Sequence, residues 1–415
     1  MTAPKSLHLT NFYHAHSGGI SAFYRALLNY ANRSGRQMRL VVPGEQNGCE
    51  AMGECGKVYM VQSPRSPWVD DRYRLLLPLG RSGREIAQIL RKEQPDILEV
   101  SDKYSMPYVA GMVRKRMIKG VKRPTEIATS HERLGDNIAA HWHAGLLGRM
   151  FARWYMRWIY FAQFDHHVAN SPYTAAELVP ASAGHTTRRG IWICPMGVDT
   201  EVFAPRGEKR PVSHVGGCLL YTGRLAREKN IGLLIEALEH LPQAFSMDVV
   251  GDGPERRWFS KESERRVPGR VRMHGYVADR REYVARLQQA DVFVHPNPKE
   301  PFGIGPLEAM AAGIPVVAPN SGGVLTYAND DNAWLCEPSA EALAQAVRSV
   351  FDDAAETYRR ICRARLTAVE HDWLVVAKRF FAILDTLHEQ GWAADGLVAA
   401  PVVRAPLALR QENVV

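Results

Sequence analysis

Two carboxylates stand eight residues apart in Glu300-Pro-Phe-Gly-Ile-Gly-Pro-Leu-Glu308, which runs on as Ala-Met-Ala-Ala-Gly-Ile-Pro-Val. Carboxylate oxygens can accept hydrogen bonds from a polyhydroxyl ligand such as a sugar. Gly303 and Gly305 let backbone N–H groups approach that ligand, and a helix start here favours anionic or polyhydroxyl partners. The spacing predicts Glu300 in a Pro/Gly loop after a strand and Glu308 in the first turn of a helix. There Glu308 could equally do no more than complement the helix dipole. Upstream, Tyr221-Thr-Gly-Arg-Leu-Ala-Arg-Glu-Lys-Asn230 puts Arg224 and Lys229 beside a predicted helix N-terminus, just after Gly223. Two cations there suit a diphosphate; the alternative is surface ion pairing. Gly251 and Gly253, in Val249-Val-Gly-Asp-Gly-Pro-Glu255, form a strand-end turn that is incomplete as a dinucleotide fingerprint. In the first half, Ser17-Gly18-Gly19 lies between a strand and a helix, and Ala128-Thr-Ser-His131-Glu132 ends a strand. A tight turn and a packed histidine are the plainer readings of those two.

The elements that must position these residues follow a β/α alternation. Strands are predicted over 7–11, 39–42, 96–100, 126–129, 166–170 and 191–194, and a first helix buries Ala22, Phe23, Ala26, Leu27, Tyr30 and Ala31 before Gly35 ends it. The charged, proline-rich stretch 204–211 reads as a linker. Beyond it, strands over 218–222, 246–250, 271–274, 291–295 and 316–318 alternate with helices over 231–241, 255–266, 306–312 and 340–350. Two consecutive doubly wound α/β domains follow, with ligands at loops beyond the strand C-termini.

At the Glu-x7-Glu element the chain resembles the retaining glycosyltransferases of family 4, and the resemblance runs over about residues 5–390. It implies the GT-B architecture, two Rossmann-like doubly wound domains facing a central cleft. An acceptor-binding domain would occupy 1–205 and a nucleotide-sugar-binding domain 206–371. A closing helix from His371-Asp-Trp373, about 372–390, would pack back on the first domain, leaving a loose tail at 393–415. Position by position, Glu300 would contact donor-sugar hydroxyls and Glu308 the ribose. Phe302, Gly303 and Ile304 would lie against sugar and diphosphate, and Arg224 and Lys229 would neutralise the leaving diphosphate. Gly223, Gly251 and Gly253 would border the nucleotide, Gly18 and Gly19 the diphosphate, and His131 the anomeric carbon. Asn170 and Ser171 would line the cleft, in a stretch otherwise architectural like 195–203. After Ser321-Gly-Gly323 the chain departs from the family: Thr326 stands where a Glu is usual, and Ala333 where a Gly is. The resemblance implies hexose transfer from GDP-mannose or a UDP-hexose, which is substrate rather than cofactor. With no Asp-x-Asp triplet, the reaction is expected to need no metal.

Composition bounds the remaining choices. The chain has 415 residues, 46% hydrophobic and 23% charged, a globular composition large enough for two domains. Its net charge of +8 is uneven: residues 1–205 carry 26 basic and 17 acidic side chains, the rest 26 and 27. A basic half faces an anionic partner or is simply solvated. No apolar run is long enough to span a bilayer, and a polar, His-rich start without an apolar signal region argues for the cytoplasm. The six cysteines lack Cys-x-x-Cys spacing, so no zinc site or redox pair is suggested. Residues 146–164 mix Arg149, Arg153 and Arg157, four apart, with Met150, Phe151, Trp154, Tyr155, Trp158 and Ile159. This is either an interfacial helix on the inner face of a membrane or a core helix with a basic outer stripe. With the second cluster at 113–123 it points to a lipid-linked or phosphate-bearing acceptor, such as phosphatidylinositol. Together with Gly-Gly-Val-Leu and Asn-Ala-Trp, the Ser-His-Glu element is similar to phosphatidylinositol mannosyltransferase-like members. The alternatives are an epimerase of the same architecture and a non-catalytic sugar-binding relic. No zinc finger, RNP-type or basic-helix motif supports nucleic acid as the partner.

Overall fold

The computed structural model describes residues 3–13, 18–65, 74–141, 145–183, 191–205 and 216–391. Ser17, the linker from residue 206 and the tail from 393 therefore lie outside the described residues. The chain divides into two compact units: Met1–Met196 with Leu374–Val415, and Gly197–Trp373. The divide falls at Gly197, ahead of the proline-rich stretch.

The first unit is built on strands β1 (Ser6–Leu9), β2 (Met38–Gly44), β3 (Gly48–Met52), β4 (Gly56–Gln62), β5 (Ile97–Val100), β6 (Thr125–Ser130), β7 (His166–Ala169) and β8 (Trp192–Ile193). Its helices are α1 (Gly19–Arg33), α2 (Gly80–Glu93), α3 (Pro107–Arg114), α4 (Leu134–His141), α5 (Gly145–Tyr155) and α6 (Pro172–Ala181). The sheet order is β3-β4-β2-β1-β5-β6-β7-β8, parallel throughout except for the β3–β4 pair. Every residue of β1, β5, β6 and β7 is buried, as parallel strands covered on both faces must be. Two strands were not predicted: the antiparallel β3, a solvated edge strand with no apolar run to read, and β4, whose apolar Val58–Val61 run was missed.

The apolar face of α1 is also rotated from expectation. Tyr24 and Leu28 are buried, whereas Ala22, Ala26 and Tyr30 are only half-buried. The buried stripe runs through Phe23, Tyr24, Leu27, Leu28 and Ala31.

The second unit contains β9 (Cys218–Thr222), α7 (Gly232–Glu239), β10 (Ser246–Val250), α8 (Arg256–Arg266), β11 (Val271–Gly275) and α9 (Arg280–Gln289). These are followed by β12 (Val292–Val294), α10 (Ile304–Ala311), β13 (Val316–Pro319), β14 (Trp334–Cys336), α11 (Ala340–Asp352) and α12 (Ala354–Glu370). All six strands are parallel, in the order β11-β10-β9-β12-β13-β14. Chain direction across the sheet reverses between β9 and β12, which opens a crevice at their C-terminal ends. The last helix, α13 (Trp373–Gln390), returns to the first unit, where Asp385 pairs with Arg36 at 2.5 Å and Phe380 packs edge-on to Phe23.

Candidate active site

In the second unit, the loops after β9 and β12 meet at the reversal point. Thr222 ends β9, and Gly223 and Arg224 follow it into a short turn, Arg227–Lys229. Asn230 then turns the chain in the left-handed region (φ 54°), with its amide donating to the Pro296 carbonyl at 3.1 Å. This brings Lys229 Nζ to 2.9 Å from both oxygens of Glu300, and Asn297 Nδ2 donates to Oε2 at 2.9 Å. Burial opposes ionisation of Glu300, but the Lys229 ammonium and the Asn297 amide override it and hold the carboxyl at about 2. His295 lies 3.8 Å from the same carboxylate, and burial pushes its imidazole down to about 4, so it is neutral at pH 7. Lys229 is therefore not a free cation at a helix start, as the spacing suggested: it is ion-paired to the first carboxylate of the motif. Arg224 is half-exposed and lies 3.9 Å from Glu228.

Glu308 lies in the second turn of α10 rather than the first. Gly303, left-handed at φ 85°, starts the helix at Ile304, two residues before the proline expected to open it. The Glu308 carboxylate is thus too far along to cap the dipole. It accepts instead from the Tyr283 hydroxyl at 2.6 Å. Burial raises its carboxyl to about 7, against the opposing pull of Tyr283 and Arg280. Phe302 is 3% exposed and packs on the Tyr327 ring at 5.1 Å, while the Tyr327 hydroxyl donates to the Gly303 carbonyl. Ile304 is half-buried.

The glycines in this unit are required by loop-on-loop packing. A Cβ at Gly251 would come within 1.9 Å of the Gly223 carbonyl oxygen, and one at Gly253 within 2.3 Å of that of Leu225. The Ser321-Gly-Gly323 loop likewise closes on the motif: Gly323 N–H donates to the Glu300 carbonyl at 2.6 Å. Ser321 Oγ and Thr326 Oγ1 are buried with no hydrogen-bond partner among the described residues. Ala333 is fully buried.

In the first unit, Gly18 precedes α1, whose first turn has neither a side-chain cap nor an acidic residue, and the space a Cβ would occupy at Gly18 is open. Gly19 is the first residue of that helix. His131 follows β6, edge-on to Phe23 at 5.2 Å, with no hydrogen-bond partner for either ring nitrogen among the described residues. Burial lowers its imidazole to about 4, so it too is neutral at pH 7. Asn170 donates to the His131 carbonyl at 3.2 Å. Ser171 caps α6 through the Thr174 N–H at 3.0 Å, an architectural role.

The two basic clusters separate. Residues 115–124 lead into β6 and lie at the opposite end of the sheet from His131, which leaves it. Of the 113–123 cluster, Arg114 and Arg123 are engaged by the buried Asp165 at 2.5 and 3.0 Å. Helix α5 is different. Leu147, Met150, Phe151, Trp154 and Trp158 are exposed, whereas Tyr155 is buried with its hydroxyl on the Lys103 carbonyl. The basic stripe does not extend straight to Arg157, because residues Met156–Tyr160 wind as a π-helical turn. Its outer face is consequently aromatic, flanked by the exposed Arg149 and Arg153. Among the described residues no helix is long and apolar enough to cross a membrane.

His295, Asn297, Tyr283 and Tyr327 were not foreseen. The His-Pro-Asn run after a strand carried a readable signal for the first two; a tyrosine inside an amphipathic helix carries none.

Known proteins match both halves. The family "Glycosyl transferases group 1" matches residues 213–365 and "Glycosyltransferase Family 4" residues 17–216. A GDP-mannose-dependent alpha-(1-6)-phosphatidylinositol dimannoside mannosyltransferase of Mycobacterium tuberculosis is 27% identical over 91% of this chain and 95% of its own. Among solved structures, a sucrose-phosphate synthase from Thermosynechococcus elongatus aligns with TM-score 0.73 at 18% identity, over 93% of this chain and all of that one. Anabaena HepE in complex with UDP-glucose aligns with TM-score 0.67 at 18% identity, over 92% and 100%. The fold is that of the GT-B glycosyltransferases.

Proposed function

The chain belongs to the family 4 glycosyltransferases, and from that premise we propose that it transfers a hexose, mannose or glucose, with retention, from a nucleoside diphosphate to a hydroxyl of a lipid-linked, phosphorylated or polysaccharide acceptor. The observation that carries this reading is the Lys229–Glu300–Asn297 cluster at the reversal point of the second sheet. A carboxylate held ionised beside an ammonium offers acceptors to sugar hydroxyls and a cation to the leaving diphosphate. Arg224 and the free N–H groups at the start of α10 add to that stabilisation, which acts most strongly as charge builds on the leaving group. The departing diphosphate is then the base for the acceptor hydroxyl, and no metal is needed. His131, neutral, serves as a hydrogen-bonding group toward the reacting hydroxyls. GDP-mannose is favoured by the mycobacterial relative, and a UDP-hexose is supported by HepE.

The aromatic face of α5, with Arg149 and Arg153 beside it, supports peripheral docking on the anionic inner face of a membrane, where a lipid-linked acceptor resides.

The deciding experiment is a donor screen with GDP-mannose, UDP-glucose and UDP-N-acetylglucosamine, against phosphatidylinositol and polyprenyl-diphosphate-sugar acceptors, with and without EDTA. One donor is expected to turn over with retained anomeric configuration, unaffected by EDTA. Conversion of a donor without acceptor would favour an epimerase, and donor binding without turnover a relic. Strong inhibition by EDTA would remove the metal-independent mechanism.

A further inference from the structure

Tyr283 is the third side chain at the site's second carboxylate, and it sits on a different element from both members of the motif. On α9 its hydroxyl donates to Glu308 Oε2 at 2.6 Å. The Thr222 hydroxyl, at the end of β9, is 3.1 Å from the same phenol oxygen. Since the phenol's one proton goes to the carboxylate, Thr222 must be the donor in the second bond. The result is a directed chain from Thr222 through Tyr283 to Glu308, joining β9, α9 and α10.

The phenol itself is held in place. Phe203 meets its ring edge-on at 5.8 Å, and Arg280, one turn before it on α9, lies over Phe203 at 5.4 Å and pairs with Asp199 at 3.1 Å. Glu308 Oε2 is thus occupied, while Oε1 has no hydrogen bond among the described residues.

We propose that Tyr283 is a positioning residue for nucleotide recognition, fixing Glu308 Oε2 so that Oε1 is left to accept from a ribose hydroxyl of the donor. This rests on the reading that Glu308 holds the ribose. A second consequence concerns protonation. The groups bearing on Glu308 are Tyr283 and Arg280 from α9 and the Tyr327 phenol from the turn after β13. From α12, Arg365 is turned to the Ala311, Phe203 and Thr200 carbonyls instead. Burial drives the Glu308 carboxyl up to about 7, and the Tyr283 hydrogen bond is the largest influence holding it down. Burial and Glu308 together push the phenol well above its ordinary range, so Tyr283 remains a donor at any working pH. Removing that donor leaves a carboxyl that protonates at higher pH and becomes a weaker, uncharged acceptor.

The test compares Tyr283→Phe, Thr222→Val and Glu308→Gln in the full chain, by donor KM and kcat from pH 6 to 9 and by calorimetric binding of the nucleoside diphosphate and its 2′,3′-dideoxy analogue. Tyr283→Phe is expected to raise donor KM by about tenfold near pH 7, the scale of one hydrogen bond to a charged group, with kcat within about twofold. The rise in KM on acidification should also begin at higher pH than in the native protein. Thr222→Val should move both in the same direction by less. Thermal melting is recorded for each variant, because a merely structural role would lower the melting temperature without displacing the pH profile of KM. If Tyr283→Phe keeps the native KM and pH profile while Glu308→Gln weakens binding and abolishes discrimination against the dideoxy analogue, Tyr283 is not a positioning residue. If Glu308→Gln itself leaves discrimination unchanged, the ribose reading fails first.

Discussion

Replacing Lys229 by Met tests whether the ammonium and Glu300 act as one unit. The Glu300 carboxyl sits at about 2 against an ordinary 4.5, a gap worth at most about 3.5 kcal/mol at about 1.4 kcal/mol per unit. The two side chains are 12% and 27% exposed, so solvent screening removes little of it. Because the carboxyl is depressed in the folded state, this stabilisation is fully present above pH 4.5 and disappears as pH falls toward 2. Lys229→Met should therefore lower unfolding free energy by up to about 3.5 kcal/mol at pH 7, within reach of what stripping one partner from a buried pair costs. It should also flatten the acid limb of the stability profile between pH 4.5 and 2. The double variant Lys229→Met/Glu300→Gln removes both charges and should recover to within about 1 kcal/mol of native stability. Transfer should not recover: both singles and the double should remain down by about a hundredfold or more. Urea unfolding and initial-rate assays on the three variants separate the two roles. A double variant no more stable than Lys229→Met would refute the coupling, and native turnover in any of the three would refute the site.

Two further perturbations probe the first unit. Glu126 and Asp165 are both fully buried, but Asp165 holds the closer guanidinium contacts and leaves Glu126 at 3.4 Å from Arg114 and 4.0 Å from Arg123. Burial, and then Asp165, raise the Glu126 carboxyl to about 8, so its folded form keeps a proton that the unfolded chain gives up. That contribution is intact below pH 4.5 and is lost as pH rises through 8, so Glu126→Gln should gain melting temperature relative to the native protein between pH 5 and 8 and level off above; a pH-independent difference would contradict the assignment. The native protein is expected to sediment with anionic but not with neutral liposomes, and Trp154→Glu on α5 with Trp158→Glu on the turn after it should abolish that sedimentation. Equal, negligible binding of the native protein to both would overturn membrane docking.

How much of this was legible in the sequence depended on what each residue had to satisfy locally. In the second unit β12 and β13 are wholly buried and the edge strands β11 and β14 only partly, and five of the six strands were read from the sequence. β14, only three residues long, was not. The Glu-x7-Glu loop and the Arg224–Lys229 turn were visible because glycine, proline and charge fall at fixed spacing. What spacing could not give was pairing. That Lys229 closes on Glu300, rather than waiting at a helix start, depends on a left-handed Asn230 and on β9 and β12 being sheet neighbours, a non-local fact. The second-turn position of Glu308 was lost to a proline read as a helix opener, when Gly303 starts the helix earlier and Pro306 is merely tolerated in the first turn. Tyr283 was unreadable for a plainer reason: its partners lie 61 and 25 residues away.

The basic surplus of the first 205 residues also changes meaning once pairing is known. Arg39 and Lys5 converge on Glu93, Lys103 is buried against Glu177, Arg36 meets Asp385, and Arg114 and Arg123 surround Asp165. These cations hold the unit together and offer little to a partner, since their fields are cancelled at contact distance. Arg149 and Arg153 are exposed and have no carboxylate partner among the described residues, and they border the one helix whose outward side chains are Leu147, Met150, Phe151, Trp154 and Trp158. A solvated basic face would show charge without that apolar area, and a buried core helix would show the area without the charge. The two together support the proposed docking on an anionic interface, where burial of the aromatic rings and attraction to headgroups would add in the same plane.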